Sequence, residues 1–189
     1  MRRKSDATRQ KIADAAYDSF WRVGFKRTSL DGIAARARVT KRTLYTYFRS
    51  KDDLLAAVLS DYATKLLGNL QQITGRMPAG RDKMIESLFA QIAWWARNTP
   101  RWSGSGITRL AVELGDLPGH PARALARRSK KTTEDWIAER LRSVRVARSA
   151  DRAREIMLLM EGAMVLMLIH GDPRYIDAAA RAAKRIVRR

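Results

Sequence analysis

Apolar residues recur along this chain at helical spacing, and no stretch alternates as a strand would. In residues 6–23, Ile12, Ala16 and Phe20 fall at i, i+4 and i+8 on one face, with Asp14 and Asp18 on another, which predicts an amphipathic first helix. Gly24 is placed to close it in a left-handed conformation, with Phe25 as the following hydrophobic contact. Thr28-Ser29-Leu30-Asp31 has the form of a capping box. It opens a short second helix whose inner face is Leu30, Ile33, Ala34 and Ala37. Thr40 caps a third helix, Lys41 to Phe48, with Leu44, Phe48 and Tyr47 inward. Ser50-Lys51-Asp52-Asp53 is a second capping box, and the helix it opens runs through Leu54, Leu55, Val58, Leu59 and Tyr62 to about Leu70.

Gly75 to Gly80, with Pro78, reads as a break. Beyond it the pattern predicts helices at about 81–97, 105–115, 119–143, 151–170 and 173–188. They are punctuated by Pro100, Gly104, Gly106, Pro118, Pro121 and Gly171-Asp172-Pro173. The expected fold is all-α: a small basic head at residues 1–52 and a larger helical body at residues 53–189.

Charge sharpens that division. Of 189 residues, 38 are Lys or Arg and 19 are Asp or Glu, a formal net charge of +19. Residues 1–51 alone hold 14 basic and 4 acidic side chains. A polyanionic partner is indicated, nucleic acid before an anionic membrane. The chain has no cysteine and only His120 and His170, which leaves no material for a thiolate metal site or a Ser-His-Asp triad. No phosphate-cradling glycine loop and no acid cluster with metal spacing is present, so neither an enzyme nor a bound metal or cofactor is expected. Residues 1–6 are basic with no apolar run behind them, unlike a signal peptide. The longest apolar run, Ile156 to Ile169, is interrupted by Glu161 and shorter than the roughly 20 residues a bilayer needs. The expectation is a soluble cytoplasmic protein.

Two short helices joined by a tight turn, the second polar on its outer face, form a helix-turn-helix pattern. With Leu44 and Phe48 inward, the third helix turns Lys41, Arg42, Thr43, Tyr45 and Thr46 outward, with no acid among them. In a major groove, Arg42 suits guanine O6 and N7 and Thr43 a thymine methyl. Thr28, Tyr47 and Lys51 flank the helix where phosphate oxygens would lie.

The run TSLDGIAARARVTKRTLYTYFRSKDDLLAAVL, residues 28–59, closely resembles the DNA-binding domain of TetR/AcrR-family transcriptional regulators. The resemblance rests on Thr28, Ile33-Ala34, Val39-Thr40, Leu44-Tyr45, Tyr47-Phe48 and Ser50-Lys51. It implies a homeodomain-like helix-turn-helix head and a C-terminal helical domain for ligand binding and dimerisation. It also implies double-stranded DNA as partner and a homodimer. In many members a small-molecule effector weakens DNA binding. The positions matching the family's DNA contacts are Thr28, Thr40, Lys41, Arg42, Thr43, Tyr45, Thr46, Tyr47 and Lys51. Two positions depart from the pattern: Arg38 stands in the turn, and Arg42 follows Lys41, where the family often has glycine.

In the body, helix 151–170 is apolar on nearly every face, so it packs inward on its own domain and outward on something else. Met157, Met160, Met164 and Met167 form one stripe of it, and the last helix carries Ile176 and Ala179. By resemblance these two helices pair with their copies as a four-helix bundle, with Met157, Met164, Met167, Ile176 and Ala179 at the dimer interface. Phe89, Trp94, Trp95 and Trp102, with Met160, are candidates to line an apolar effector pocket; ordinary core filling explains them equally well. Glu161, in so apolar a setting, requires a partner. The function expected from all this is a sequence-specific transcriptional regulator, a repressor released by an effector. The rival class is an architectural protein that binds DNA without sequence choice.

Overall fold

The computed structural model describes residues 2–74, 80–99, 102, 104–117 and 119–188. Met1, Pro100, Pro118 and residues 75–79 of the expected break lie outside the described residues. Among the described residues the structure is helical without strands. The helices are α1 (Arg2–Val23), α2 (Leu30–Arg36), α3 (Lys41–Tyr47), α4 (Lys51–Thr74), α5 (Arg81–Asn98), α6 (Gly106–Glu113), α7 (Pro121–Ser143), α8 (Ser149–His170) and α9 (Arg174–Arg188). The chain packs as two compact units, whose boundaries fall within α4, at the start of α6 and within α7.

The first unit takes residues 1–65 and 106–128. Its core joins Ile12, Ala16 and Phe20 of α1 to Ile33 of α2, Leu44 of α3 and Leu54, Leu55, Val58 and Leu59 of α4. Ile107, Leu110 and Leu114 on and after α6, and Ala122 and Ala126 of α7, complete it. Helix α6 thus belongs by packing with the N-terminal helices. Its first residue explains how closely it approaches: the Trp21 ring occupies the place of a side chain at Gly106, so only glycine fits there. Trp21 itself stacks on Tyr17, with ring centroids 4.2 Å apart, and Arg109 Nη1 donates to the Trp21 carbonyl at 2.8 Å.

Helix α1 ends at Gly24 in a left-handed conformation (φ +93°), with its N–H donating to the Phe20 carbonyl and the rings of Phe20 and Phe25 5.4 Å apart. The backbone N–H groups that follow, of Phe25 and Lys26, both donate to the Glu113 carboxylate at 2.9 Å. Lys26 also pairs with Asp116 at 2.7 Å. His120, in the loop just before α7, is buried. Its Nδ1 accepts the Ala122 N–H at 3.1 Å, and Nε2 lies 3.3 Å from an Asp52 oxygen without the alignment of a hydrogen bond.

The second unit takes residues 66–105 and 129–189. Met84, Ile85, Leu88, Phe89 and Ile92 of α5 pack with Trp136, Ile137 and Leu141 of α7, the inner stripe of α8, and Ile176, Ala179, Ala183 and Val187 of α9. The stripe is Ala153, Ile156, Met157, Met160, Ala163 and Met164. Glu161 has the partner it requires: Lys130, whose ammonium also donates to Ser105 Oγ at 2.9 Å. Arg188 and Lys184 of α9 reach back to Asp82 and Glu86 of α5.

Candidate nucleic-acid interface

The interface is built on α2, the turn after it, and α3. Ser29 is the N-cap of α2, its hydroxyl accepting the Gly32 N–H at 3.1 Å. The cap therefore falls one residue later than the Thr28 capping box predicts. Thr28 is buried instead, and its hydroxyl donates to the Gly24 carbonyl at 2.6 Å. Helix α2 closes with two reverse hydrogen bonds, Arg38 N–H to Ala35 O at 3.1 Å and Val39 N–H to Ala34 O at 3.0 Å. This is the Schellman pattern, and it requires a left-handed residue at position 38. Arg38 adopts it (φ +54°), at a cost of about 1 kcal/mol for a residue with a Cβ.

Helix α3 follows at once. Thr40 is its N-cap: the hydroxyl accepts the Thr43 N–H at 3.0 Å and lies 2.8 Å from the Thr43 hydroxyl. Leu44 and Phe48 are buried in the first unit's core, which fixes the helix's rotation. Lys41, Arg42, Tyr45 and Thr46 consequently face outward and are exposed, while Thr43 and Tyr47 are half-buried. Thr46 donates its hydroxyl proton to the Arg42 carbonyl at 3.0 Å. Arg9 of α1 places its guanidinium 5.2 Å from the Phe48 ring.

Seven of the nine sequence-predicted DNA residues therefore gather on and beside α3. The other two side chains are engaged inward. Thr28 caps backbone as described, and the Lys51 ammonium donates to the carbonyls of Phe25 and Thr28 at 3.1 Å and sits 4.5 Å from the Phe25 ring. Within the outward set, Lys41 has an acidic partner in the chain. Asp31 of α2 lies 2.9 Å from the Lys41 ammonium and, by hydrogen bonding and charge, raises the Lys41 pKa above the usual lysine value. Sequence reading missed Asp31 because its partner is a turn away, on the next helix.

The residues expected in the second unit divide differently. Phe89 and Met160 are buried in its core, and Trp95 and Trp102 are partly buried against that same core. Trp94 does not join them; it is 51% exposed. The residues expected at the dimer interface lie on the inner side of the second unit. Met157, Met164, Ile176 and Ala179 are buried within a single chain, and Met167 packs against that same core. The apolar residues of α8 left facing outward are Leu158 (70% exposed), Val165, Leu166, Leu168 and Ile169 (68%). Leu158, Gly162, Val165 and Ile169 follow helical spacing, and a side chain at Gly162 would meet nothing within 4 Å. The methionine stripe and this one lie on opposite sides of one helix, and hydrophobicity alone does not say which is inner.

Among the described residues no helix is long and apolar enough to cross a membrane, and no group of three His, Asp or Glu could hold a metal ion.

Comparison with known proteins bears on this architecture directly. Residues 12–58 match the family model described as bacterial regulatory proteins, tetR family. The HTH-type transcriptional regulator YjdC of Escherichia coli is 34% identical over 166 residues, covering 87% of this chain and 85% of its own. The HTH-type transcriptional repressor SCO4008 of Streptomyces coelicolor is 40% identical over 57 residues, 30% of each chain. Against several curated relatives, including that one, the match covers less than half of their length. The crystal structure of SCO4454, a TetR-family regulator from Streptomyces coelicolor, superposes with a TM-score of 0.85 at 24% identity, covering 96% of this chain and 94% of that one, and so shares the fold. With the helix-turn-helix at its N-terminus, the helical body behind it and a relative matched over most of both lengths, the chain belongs to the TetR family of helix-turn-helix transcriptional regulators.

Proposed function

We propose that this chain is a sequence-specific repressor that occupies double-stranded DNA as a cytoplasmic homodimer. The observation that carries the proposal is the outward face of α3: Lys41, Arg42, Tyr45 and Thr46 exposed over a buried Leu44–Phe48 anchor, with no acid on the helix. Arg42 and Thr43 read base edges, and Lys41, Tyr45, Thr46 and Tyr47 hold phosphates and flanking bases. Thr40 sets the start of the helix. Thr28 and Lys51 brace the loop before α2 and bring their backbone toward the sugar-phosphate chain. Residues 1–52 form the DNA-binding part and residues 53–189 the regulatory and dimerising part.

The second copy packs on the outward stripe of α8, where Leu158, Val165 and Ile169 would otherwise keep apolar area in water. The paired heads then meet half-sites about one helical turn apart. A small apolar effector binds beside Phe89, Trp95, Trp102 and Met160 and releases DNA by favouring the incompetent state.

The test is selection of genomic fragments bound by the purified protein, followed by affinity measurement on the recovered site and on random duplex. A site preferred by roughly a thousandfold or more is expected. Arg42→Ala and Thr43→Ala should reduce that preference more than they reduce random-duplex affinity. The net charge of +19 favours one rival, an architectural protein, and a preference near one would establish it in place of the repressor.

A further inference from the structure

We propose that Arg38, in the turn between α2 and α3, is an additional DNA contact whose guanidinium binds a phosphate oxygen beside the recognition helix. The inference rests on α3 being the DNA-reading helix. Three observations carry it. The backbone at position 38 is left-handed (φ +54°) and is held so by the two reverse hydrogen bonds that close α2, so glycine would fit without strain. The side chain is exposed and stands three residues before Lys41 and four before Arg42, on the approach to α3. The neighbouring acids are committed elsewhere. Asp31 holds Lys41, Asp18 holds Arg22 and Arg36, Asp53 accepts the Arg49 N–H, and Asp52 faces His120.

A strained, permanently charged residue with five donors and no acid to satisfy them suits an external anion. A planar fork also matches phosphate geometry better than a point charge. The contact adds affinity without sequence preference, since phosphates carry none.

The chain contains its own control. Arg145 closes α7 with the same pattern, its N–H to Arg142 O at 2.9 Å and Val146 N–H to Leu141 O at 3.0 Å, with φ +57°. Arg38→Gly and Arg145→Gly therefore remove equal charge and comparable backbone strain. Affinity for a random-sequence duplex is measured against salt for the wild type, both glycine variants and Arg38→Lys, with melting temperature as the check on folding. Arg38→Gly is expected to melt no lower than wild type and to make the slope of log affinity against log salt shallower by about 0.9. Between 50 and 200 mM salt its affinity then falls about threefold less than that of the wild type. Arg38→Lys and Arg145→Gly should keep the wild-type slope. An unchanged slope in Arg38→Gly, or an equal change in Arg145→Gly, overturns the assignment of Arg38 while leaving the function of α3 intact. A wild-type chain that binds no duplex overturns both.

Discussion

In α3 the residues that turn inward, Leu44 and Phe48, are apolar, and those that turn outward are basic, hydroxylic or phenolic. In α8 the inward stripe of Ile156, Met157, Met160 and Met164 and the outward stripe of Leu158, Val165 and Ile169 are both apolar. Each helix has a core side and an exposed side, and for each exposed side we propose a partner outside the chain. The difference lies in what that outside partner is. A helix that meets a polyanion must differ in polarity between its two sides, so its rotation can be read from the residues. A helix that meets a second apolar helix needs no such difference.

That contrast can be broken most severely on the outer stripe of α8. Leu158→Glu with Ile169→Glu should turn the dimer into monomers in sedimentation. It should also lower affinity for a two-half-site duplex by about 10²–10⁴-fold, the range for losing a linked second contact. A dimer that survives both substitutions means the second copy docks elsewhere. The inner sides come next. Leu44→Ala and Ile156→Ala should each cost about 2–5 kcal/mol in denaturant unfolding, because both side chains are fully buried. A cost below about 1 kcal/mol for either would contradict its inward placement.

A smaller effect probes the outward side of α3. Asp31→Asn removes the carboxylate that holds Lys41, so random-duplex affinity should rise severalfold at low salt and converge with wild type at high salt. Weaker binding in that variant would mean that the ion pair positions Lys41 rather than occupying it. The smallest effect concerns acid. Arg188 holds the Asp82 carboxyl, and Arg174 the Asp172 carboxyl, below the usual value of 3.8. Depressed carboxylates stabilise the fold above that value, and their contribution is lost as pH falls below it through the folded pKa. Both groups are half-buried and still open to solvent, so the loss should be slight, reduced by salt, and diminished in Asp82→Asn. Identical acid unfolding curves for Asp82→Asn and wild type would remove the α5–α9 ion pair from the account.

The helices were legible because their ends carry specific chemistry. Gly24 and Gly171 adopt the left-handed conformations that end α1 and α8, and the Thr40 and Ser50 hydroxyls accept the N–H groups expected of caps. The outward set of α3 was legible for the same local reason, helical spacing from Leu44. What was not legible depends on partners far along the chain. Thr28 and Lys51 look like phosphate ligands until the loop between them and α1 is folded, when the carbonyls of Gly24, Phe25 and Thr28 become nearer acceptors. Glu113 is 88 residues from Phe25, and nothing in its own helix marks it as the acceptor for two backbone N–H groups. Arg38 belongs with the local signals: a basic residue in a turn that favours glycine is visible in the sequence, and the backbone there is left-handed.

The dependence of the N-terminal helices on Gly106–Glu113 has a consequence for synthesis. A chain emerging from the ribosome displays α1 to α4 long before Ile107, Leu110, Leu114 and Ala126 exist to cover them. Contacts across so long a separation form late, because the intervening chain must be closed first. Proteolysis of nascent chains of increasing length should therefore show protection of α1–α4 arising only once residue 126 has emerged. A chain cut short before that point would lack the Ile107, Leu110, Leu114 and Ala126 side chains that complete this core, and should be cleaved by protease more readily than one that includes them.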